Sequence, residues 1–249
     1  MTNDNKQHRE VGTSPGGSTM YEYDDLTNTG WRPPAAYGTY AEEVEAHFHE
    51  LFPDRESTVF HEIMSDLVHV DVHIMKPTPE KPFYVVYTTG MSDLPMTLPA
   101  DIADEYKHLE RAELFIMLPE TWNSGEGYAV SSDIPYEHYW PIHMLKYLAR
   151  FPHEYDTWLG WGHTIPNGPE YEPFLDGCGM GGFVLLELDE NFSPLHAANG
   201  TPVHLYMVAP AYREEIEYKL DNGMNALDEL FAQNDLPLVV DLNRKNYCQ

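Results

Sequence analysis

Residues 153–168 bring together, within one short segment, side chains that could bind a ligand or do chemistry. The segment carries two histidines, two carboxylates and three aromatic side chains: His153, His163, Glu154, Asp156, Tyr155, Trp158 and Trp161. Its glycines and Pro166 disfavour a regular helix or a long strand. Either the tryptophans fill a core or the loop presents them to a partner, and Tyr and Trp dominate interface hot spots. The segment therefore predicts a binding site for a peptide or protein.

The same segment offers an alternative function, that of a metal- or Cys/His-dependent hydrolase built on the loop. Cys178 with His153 or His163 would supply a nucleophile and a base. Cys178, however, lies in a glycine-rich run before a predicted strand, whereas a reactive thiolate is favoured at a helix N-terminus. Glu154 and Asp156 form a carboxylate pair, but no further residue pattern supports acid–base catalysis. We therefore predict that the chain has no catalytic residues.

His69, Asp71 and His73 alternate with valines and resemble a metal-binding set. On a strand, which rises about 3.3 Å per residue, the two histidines lie roughly 13 Å apart and cannot share one ion. The pattern is typical of the polar side of a half-buried strand. We therefore predict no metal and no cofactor.

Apolar periodicity predicts the elements that position these residues. The predicted strands are 68–74, 83–88, 114–118, 183–188, 203–208 and, at a sheet edge, 238–240. The predicted helices are 40–51, 141–151 between Pro141 and Pro152, and a region over 216–231 that Gly223 breaks. This order favours an α/β (α+β) fold with a mixed, largely antiparallel, sandwich-like sheet and helices packed on it.

The N-terminal segment differs in composition from the rest of the chain. Residues 1–39 are rich in Gly, Ser, Thr, Asn and Pro and lack apolar periodicity, which is typical of a disordered or loosely docked tail. The remaining residues, 40–249, suffice for one domain with its own core. We therefore predict a tail at 1–39 and a single domain at 40–249.

The charge balance limits the classes of partner. Fourteen Lys and Arg against 41 Asp and Glu give a net charge of −27, which repels phosphate backbones and accelerates encounter with basic proteins. Between residues 151 and 212 the chain has acidic residues but no Lys or Arg. That stretch is either a solvated acidic surface or a docking surface for a cationic protein. We predict a basic protein partner and no nucleic acid.

Cysteine usage and hydropathy indicate the compartment. The chain has only two cysteines, too few for a disulfide framework, which favours a reducing compartment. The first ten residues lack the apolar core of a signal peptide, and no apolar run is long enough to span a bilayer. The sequence therefore predicts a cytoplasmic protein that does not insert into membranes.

Three blocks of the sequence resemble one known family. Residues 150–165 read Arg-Phe-Pro-His-Glu-Tyr-Asp-Thr-Trp-Leu-Gly-Trp-Gly-His-Thr-Ile, residues 90–96 read Gly-Met-Ser-Asp-Leu-Pro-Met, and residues 212–220 read Tyr-Arg-Glu-Glu-Ile-Glu-Tyr-Lys-Leu. In order and spacing they resemble the signature blocks of the Suppressor of fused domain, from about residue 59 to about residue 231. The resemblance implies a mixed α/β domain that binds other proteins and has no established catalytic centre.

The resemblance also implies a binding mode. The animal member of the family holds Gli transcription factors by clasping a peptide as an added strand in a cleft between two domains, whereas bacterial single-domain members are read as immunity or interaction proteins of toxin systems. By resemblance, residues 84–94 correspond to the strand and turn that contact the peptide, although the second domain of that cleft has no counterpart here.

These observations predict a cytoplasmic protein-interaction domain that acts as an immunity-type or regulatory inhibitor of a basic protein. The oligomeric state stays open. The predicted partner-binding residues lie in the strand and turn at 84–94 and in residues 153–168, here called the signature loop. They are Tyr84, Gly90, Ser92, Asp93, Leu94, His153, Glu154, Tyr155, Asp156, Trp158, Trp161 and His163.

Overall fold

A computed structural model describes residues 8–26, 30–122 and 134–249. Within these residues the helices and strands, in chain order, are β1 (His8–Thr13), β2 (Thr19–Tyr23), α1 (Ala41–Leu51), β3 (Ser57–Phe60), β4 (Asp71–Met75), β5 (Phe83–Thr89), β6 (Ala112–Pro119), α2 (Tyr136–Glu154), β7 (Thr164–Pro166), β8 (Met180–Glu187), β9 (Leu195–His196), β10 (Pro202–Tyr212), α3 (Arg213–Asn222) and α4 (Met224–Gln233). Two short 3-10 helices, Met91–Asp93 and Lys107–Leu109, lie between β5 and β6.

Eight strands form one mixed sheet in the order β3-β4-β5-β6-β10-β8-β7, with β9 paired to β10 off this path. The pairing of β6 with β10 is parallel, and the other pairings between these strands are antiparallel. A mostly antiparallel sheet with four helices packed against it confirms the predicted α+β fold class. The layers consist of one sheet between helices, since a second large sheet is absent from the described residues.

Both sides of the sheet are buried, which explains why its central strands read as continuous apolar runs. In β6, Leu114, Ile116 and Leu118 belong to the core beneath α2. The intervening Phe115 and Met117 belong to the core that α1, α3 and α4 cover. The Phe48 ring of α1 stacks on Tyr87 of β5 at 3.9 Å between centroids, so the first predicted helix is docked by an aromatic pair.

Helix α2 is longer than its sequence predicts. Pro141 and Pro152, expected at its two ends, both lie inside it. Each proline removes one backbone hydrogen bond, yet both side chains are buried along with most of one helical stripe. Burial of that stripe against the sheet offsets the lost hydrogen bonds. The prediction that proline ends the helix considers only neighbouring residues and omits this burial.

The described part of residues 1–39 contains structure that its composition does not predict. Strands β1 and β2 form an antiparallel hairpin. Its turn donates a hydrogen bond from the Gly16 N–H to the Leu220 carbonyl oxygen (2.7 Å) on α3. Tyr23 packs its ring against Phe151 (4.7 Å) and Tyr155 (5.2 Å). The hairpin is therefore attached by long-range aromatic contacts and not by an apolar pattern of its own.

The C-terminal segment after α4 folds back onto β6, a strand in the interior of the sheet order. Arg244 is buried and binds both oxygens of the Glu215 carboxylate at 2.6 Å. The predicted edge strand at 238–240 is reduced to one parallel bridge between Val239 and Met117. Among the described residues no helix is long and apolar enough to cross a membrane.

Candidate functional site

The turn after β5 is built around a close backbone approach. Gly90 has a φ of 102°, and a Cβ at this position would lie 1.8 Å from the carbonyl oxygen of His69. Only glycine combines the positive φ with the missing side chain that this contact requires. The turn leads directly into the 3-10 helix Met91–Asp93, whose three side chains are buried.

Glu113 lies beneath this turn and is completely buried. One of its carboxylate oxygens accepts the backbone N–H groups of Gly90 and Ser92 at 2.9 Å and the Ser92 hydroxyl at 2.6 Å. The other accepts the Thr88 hydroxyl at 2.7 Å. Burial raises the pKa of Glu113 to about 7, although these donors act in the opposite direction. The sequence signal for this residue was a single carboxylate at the start of an apolar strand.

Asp93 ties the turn to the start of α1. Its two carboxylate oxygens accept the backbone N–H groups of Gly38 (2.6 Å) and Thr39 (2.7 Å), just before the helix begins. Thus the polar atoms of Ser92 and Asp93, both predicted to bind a partner, bond within the domain. Tyr84 and Leu94 are half-buried, and the Tyr84 ring contacts Trp122 edge-to-face at 5.2 Å.

The turn and the signature loop, separate in sequence, are joined by His153. Its Nε2 lies 3.0 Å from the Met91 carbonyl oxygen, and burial lowers the pKa of the imidazole to about 4. A neutral ring at pH 7 donates this hydrogen bond and holds the two segments together. A second link runs from the Thr97 N–H to the Thr157 carbonyl oxygen at 2.9 Å.

The loop and the N-terminal hairpin enclose a cleft of about 970 Å³, here called the hairpin cleft. One wall is β2, the opposite wall is residues 155–166, and α3 and α4 contribute to it through Lys219 and Met224. Its aromatic lining includes Tyr21, Tyr23, Tyr155, Trp158 and Trp161. The structure thus brings four of the predicted binding residues into one concave site: Tyr155, Trp158, Trp161 and His163.

Within this cleft the two tryptophans differ. Trp161 is 43% exposed, and Trp158 is half-buried with its ring 4.4 Å from that of His163 in an edge-to-face contact. Removal of solvent around His163 lowers its pKa to about 4, and the nearby Lys219 charge acts in the same direction. The imidazole is therefore neutral at pH 7.

The acidic residues of the loop lie outside the aromatic lining. Glu154 is half-buried at the end of α2, and burial raises the pKa of its carboxyl group. Asp156 is exposed and has a positive φ of 50°. Of the two carboxylates, Asp156 is therefore the one that is exposed at the surface.

The described residues contain no group of three or more His, Cys, Asp or Glu side chains suited to a metal ion. Cys178 is buried, and its sulfur contacts the backbone of Met180 and neither histidine of the loop. His73 is buried against Tyr87 and contacts the Thr89 hydroxyl at 3.0 Å. Cys178, the nucleophile of the hydrolase alternative, and His73, a candidate metal ligand, thus both lie in packed surroundings.

Two features of the site could not be found from the sequence. The hairpin that forms one wall comes from the segment predicted to be a tail, and Lys219 reaches the cleft from α3. Their only sequence signals were the isolated aromatic residues Tyr21 and Tyr23, and a lysine in a helix in which acidic residues outnumber basic ones.

Comparison with known proteins agrees with this architecture. A protein described as a SUFU (suppressor of fused protein) homolog from Neisseria gonorrhoeae FA 1090 is 15% identical, has a TM-score of 0.58, and aligns over 84% of this chain and 96% of its own. A chain of the Sufu-Fu complex is 16% identical, with a TM-score of 0.58 and coverage of 87% and 93%. Drosophila Suppressor of Fused is 14% identical, with a TM-score of 0.57 and coverage of 96% and 52%.

Identities at this level show a shared fold alone. No curated protein matches the chain. The family model for the Suppressor of fused protein (SUFU), however, matches residues 66–245, which is well over half of the chain and includes all three signature blocks. The chain therefore belongs to the Suppressor of fused family.

Proposed function

We propose that this domain binds a basic protein in the cytoplasm and inhibits or regulates it, as an immunity-type or regulatory inhibitor. Membership of a family whose fold also occurs in the Sufu-Fu complex supports a role in protein binding. The observation that carries the choice of a basic partner is the distribution of exposed carboxylates around the signature loop.

Four exposed carboxylates lie between the end of α2 and the start of β8, here called the acidic loop surface: Asp156, Glu170, Glu172 and Asp176. The next Lys or Arg in the sequence after these residues is Arg213, whose Nε already bonds a carboxylate oxygen of Glu217 at 2.7 Å. Two further exposed carboxylates, Asp189 and Glu190, follow β8. The eight residues of β8 span roughly 25 Å and separate this second pair from the acidic loop surface. The pair therefore forms a separate acidic patch.

A cluster of exposed like charges acts mainly on encounter with an opposite charge. It steers a basic protein toward the loop and raises the association rate, while close contacts set the dissociation rate. The exposed Trp161 ring, in the same loop, supplies apolar contact area once the partner has docked. The acidic loop surface would thus select the partner and the adjacent aromatic ring would retain it.

The test begins with capture of the partner from the native host, with the full chain as bait, followed by measurement of association and dissociation rates. Reversal of the acidic loop surface to Lys (Asp156, Glu170, Glu172 and Asp176) should lower the association rate about tenfold or more and change dissociation less. The matched control reverses four exposed carboxylates elsewhere: Glu42, Glu50, Asp189 and Glu190.

Both variants change the net charge equally, so a difference between them measures the local surface. Equal association rates for the two variants would remove the acidic loop surface from the proposal. Capture of only acidic or neutral proteins would contradict the choice of a basic partner.

A further inference from the structure

Lys219 is a buried cation for which the described residues supply no partner. Only 7% of the residue is exposed, and no described residue forms an ion pair or a side-chain hydrogen bond with it. Burial lowers the pKa of its ammonium group, and no nearby carboxylate raises it. The ammonium nitrogen is not among the fully buried unpaired atoms of the described residues, so it stays open to solvent, without an ion-pair partner, in a chain with 41 acidic residues.

The Lys219 side chain reaches the hairpin cleft, where an anionic ligand would meet its ammonium group. Lys219 lines the cleft on the side of the signature loop, close enough to His163 for its charge to lower the histidine's pKa. Because that imidazole is neutral at pH 7, it neither competes for an anion nor neutralises the ammonium. The volume of about 970 Å³ suits a small organic molecule or a few residues of a peptide.

Other charged groups face the cleft from the hairpin and from the loop before β6. Glu10, Glu22 and Asp101 line it there, and Glu22 is bonded to Arg9. Burial raises the pKa of Tyr21, and the charges of Glu10 and Asp101 act in the same direction, so both carboxylates lie on the Tyr21 side of the cleft. Neither of them shifts the pKa of Lys219. The cleft therefore has an acidic rim at Tyr21 and a cation at Lys219, with aromatic rings between them.

We propose that the hairpin cleft binds an organic carboxylate with an apolar body, with the carboxylate on the Lys219 ammonium and the body between the aromatic rings. A charge-assisted hydrogen bond to the carboxylate would pair this ammonium group, which has no ion-pair partner among the described residues. The acidic rim disfavours a second negative charge and accommodates a positive one. The same chemistry is available from a free aromatic acid or from the C-terminal carboxylate of a peptide with an aromatic last residue.

This inference is independent of the proposed docking of a basic protein. Lys219 is not part of the acidic loop surface, and its test uses small probes without a protein partner. The two proposals can therefore fail separately.

The test measures binding of four probes to the full chain by titration calorimetry. They are 4-phenylbutyrate, its uncharged amide, the tripeptide Arg-Gly-Phe with a free C-terminus, and the same tripeptide amidated at its C-terminus. We expect each carboxylate to bind at least about tenfold more tightly than its amide, since a charged hydrogen bond is lost. Tighter binding of the tripeptide would identify a peptide as the source, and tighter binding of phenylbutyrate a free acid.

Lys219→Met should abolish the preference for carboxylate over amide, and Lys107→Met, which removes an exposed charge elsewhere, should leave it intact.

A second measurement, which does not depend on the folding of a variant, follows the side-chain NMR resonance of Lys219 in the wild type. Saturation with 4-phenylbutyrate should move its pKa upward. Equal affinity for acids and amides, or an unchanged Lys219 pKa at saturation, would overturn the proposal.

Discussion

At Gly90 the backbone passes the carbonyl oxygen of His69 so closely that a residue with a Cβ cannot be placed there without movement. Gly177 is a matched comparison, because it has a φ of 82° but no atom within 4 Å of the point that a Cβ would occupy. Both glycines adopt the left-handed conformation, and only Gly90 adds the steric contact. Comparison of alanine substitutions at the two sites therefore separates the cost of a positive φ from the cost of steric overlap between the added Cβ and the His69 carbonyl oxygen.

We expect Gly177→Ala to lower the free energy of unfolding by about 1–2 kcal/mol, the usual cost of a left-handed alanine. Gly90→Ala should cost more than about 3 kcal/mol, because the turn must also move away from the His69 carbonyl, just before β4. Urea unfolding of both variants measures the difference. Similar losses would show that the His69 contact relaxes freely.

Glu113 makes the stability of this turn depend on pH. Its folded-state pKa of about 7 exceeds the ordinary value of 4.5, so the folded state holds the proton more tightly than the unfolded state does. This contribution to stability is fully present below pH 4.5 and is lost as the pH rises through 7. In Glu113→Gln, which stays neutral, this loss should disappear.

Urea unfolding between pH 4.5 and 7.5 tests this expectation, with the exposed Glu105→Gln as the control. The wild type and the control should lose unfolding free energy over this interval relative to Glu113→Gln. Parallel curves for all three proteins would mean that Glu113 is ionised throughout and that its hydrogen-bond donors outweigh burial.

At the scale of elements, the β1–β2 hairpin depends on the domain for its attachment. A two-stranded hairpin is at best marginally stable by itself, and this one is joined through Tyr23, His8 Nδ1 at 2.8 Å from the Tyr155 carbonyl oxygen, and the Gly16 N–H. It also forms one wall of the hairpin cleft. Its loss would open the site as well as uncover Phe151 and Tyr155.

Composition alone predicts that removal of residues 1–39 leaves stability nearly unchanged, whereas these contacts favour a decrease. We expect Tyr23→Ala to detach the hairpin, which increases amide exchange in β1 and β2 and lowers the melting temperature by a few degrees. Val11→Ala, an exposed position in the same hairpin, is the control. Identical exchange in both variants would contradict attachment through the Tyr23 ring.

In the whole molecule, the exterior is mainly acidic, since the chain has a net charge of −27. Two of its buried basic residues, Lys219 and Arg244, differ in whether a carboxylate neutralises them. Arg244 is neutralised by Glu215, and Lys219 has no such partner among the described residues. At physiological salt, screening over about 8 Å confines the steering effect of the exterior to nearby patches. The placement of the carboxylates therefore matters as well as their number.

Features that neighbouring residues encode could be predicted from the amino-acid sequence alone. Apolar periodicity located α1, β5, β6 and the break between α3 and α4 at Gly223, because each pattern is complete within one element. The α+β class followed from the order of these elements, and the three signature blocks identified the family. Charge counts, likewise, require no coordinates.

Which residues share a site depends on long-range packing and could not be predicted from the sequence. His8 and Tyr155 are 147 positions apart, and Glu113 lies 23 positions from Gly90, so no local pattern links them. Burial of α2 against the sheet kept two prolines inside a helix, and packing against Phe151 and Tyr155 docked a segment with little apolar content. Lys219 became a candidate binding group for the same reason: its significance depends on what surrounds it in space, where no described carboxylate pairs with it.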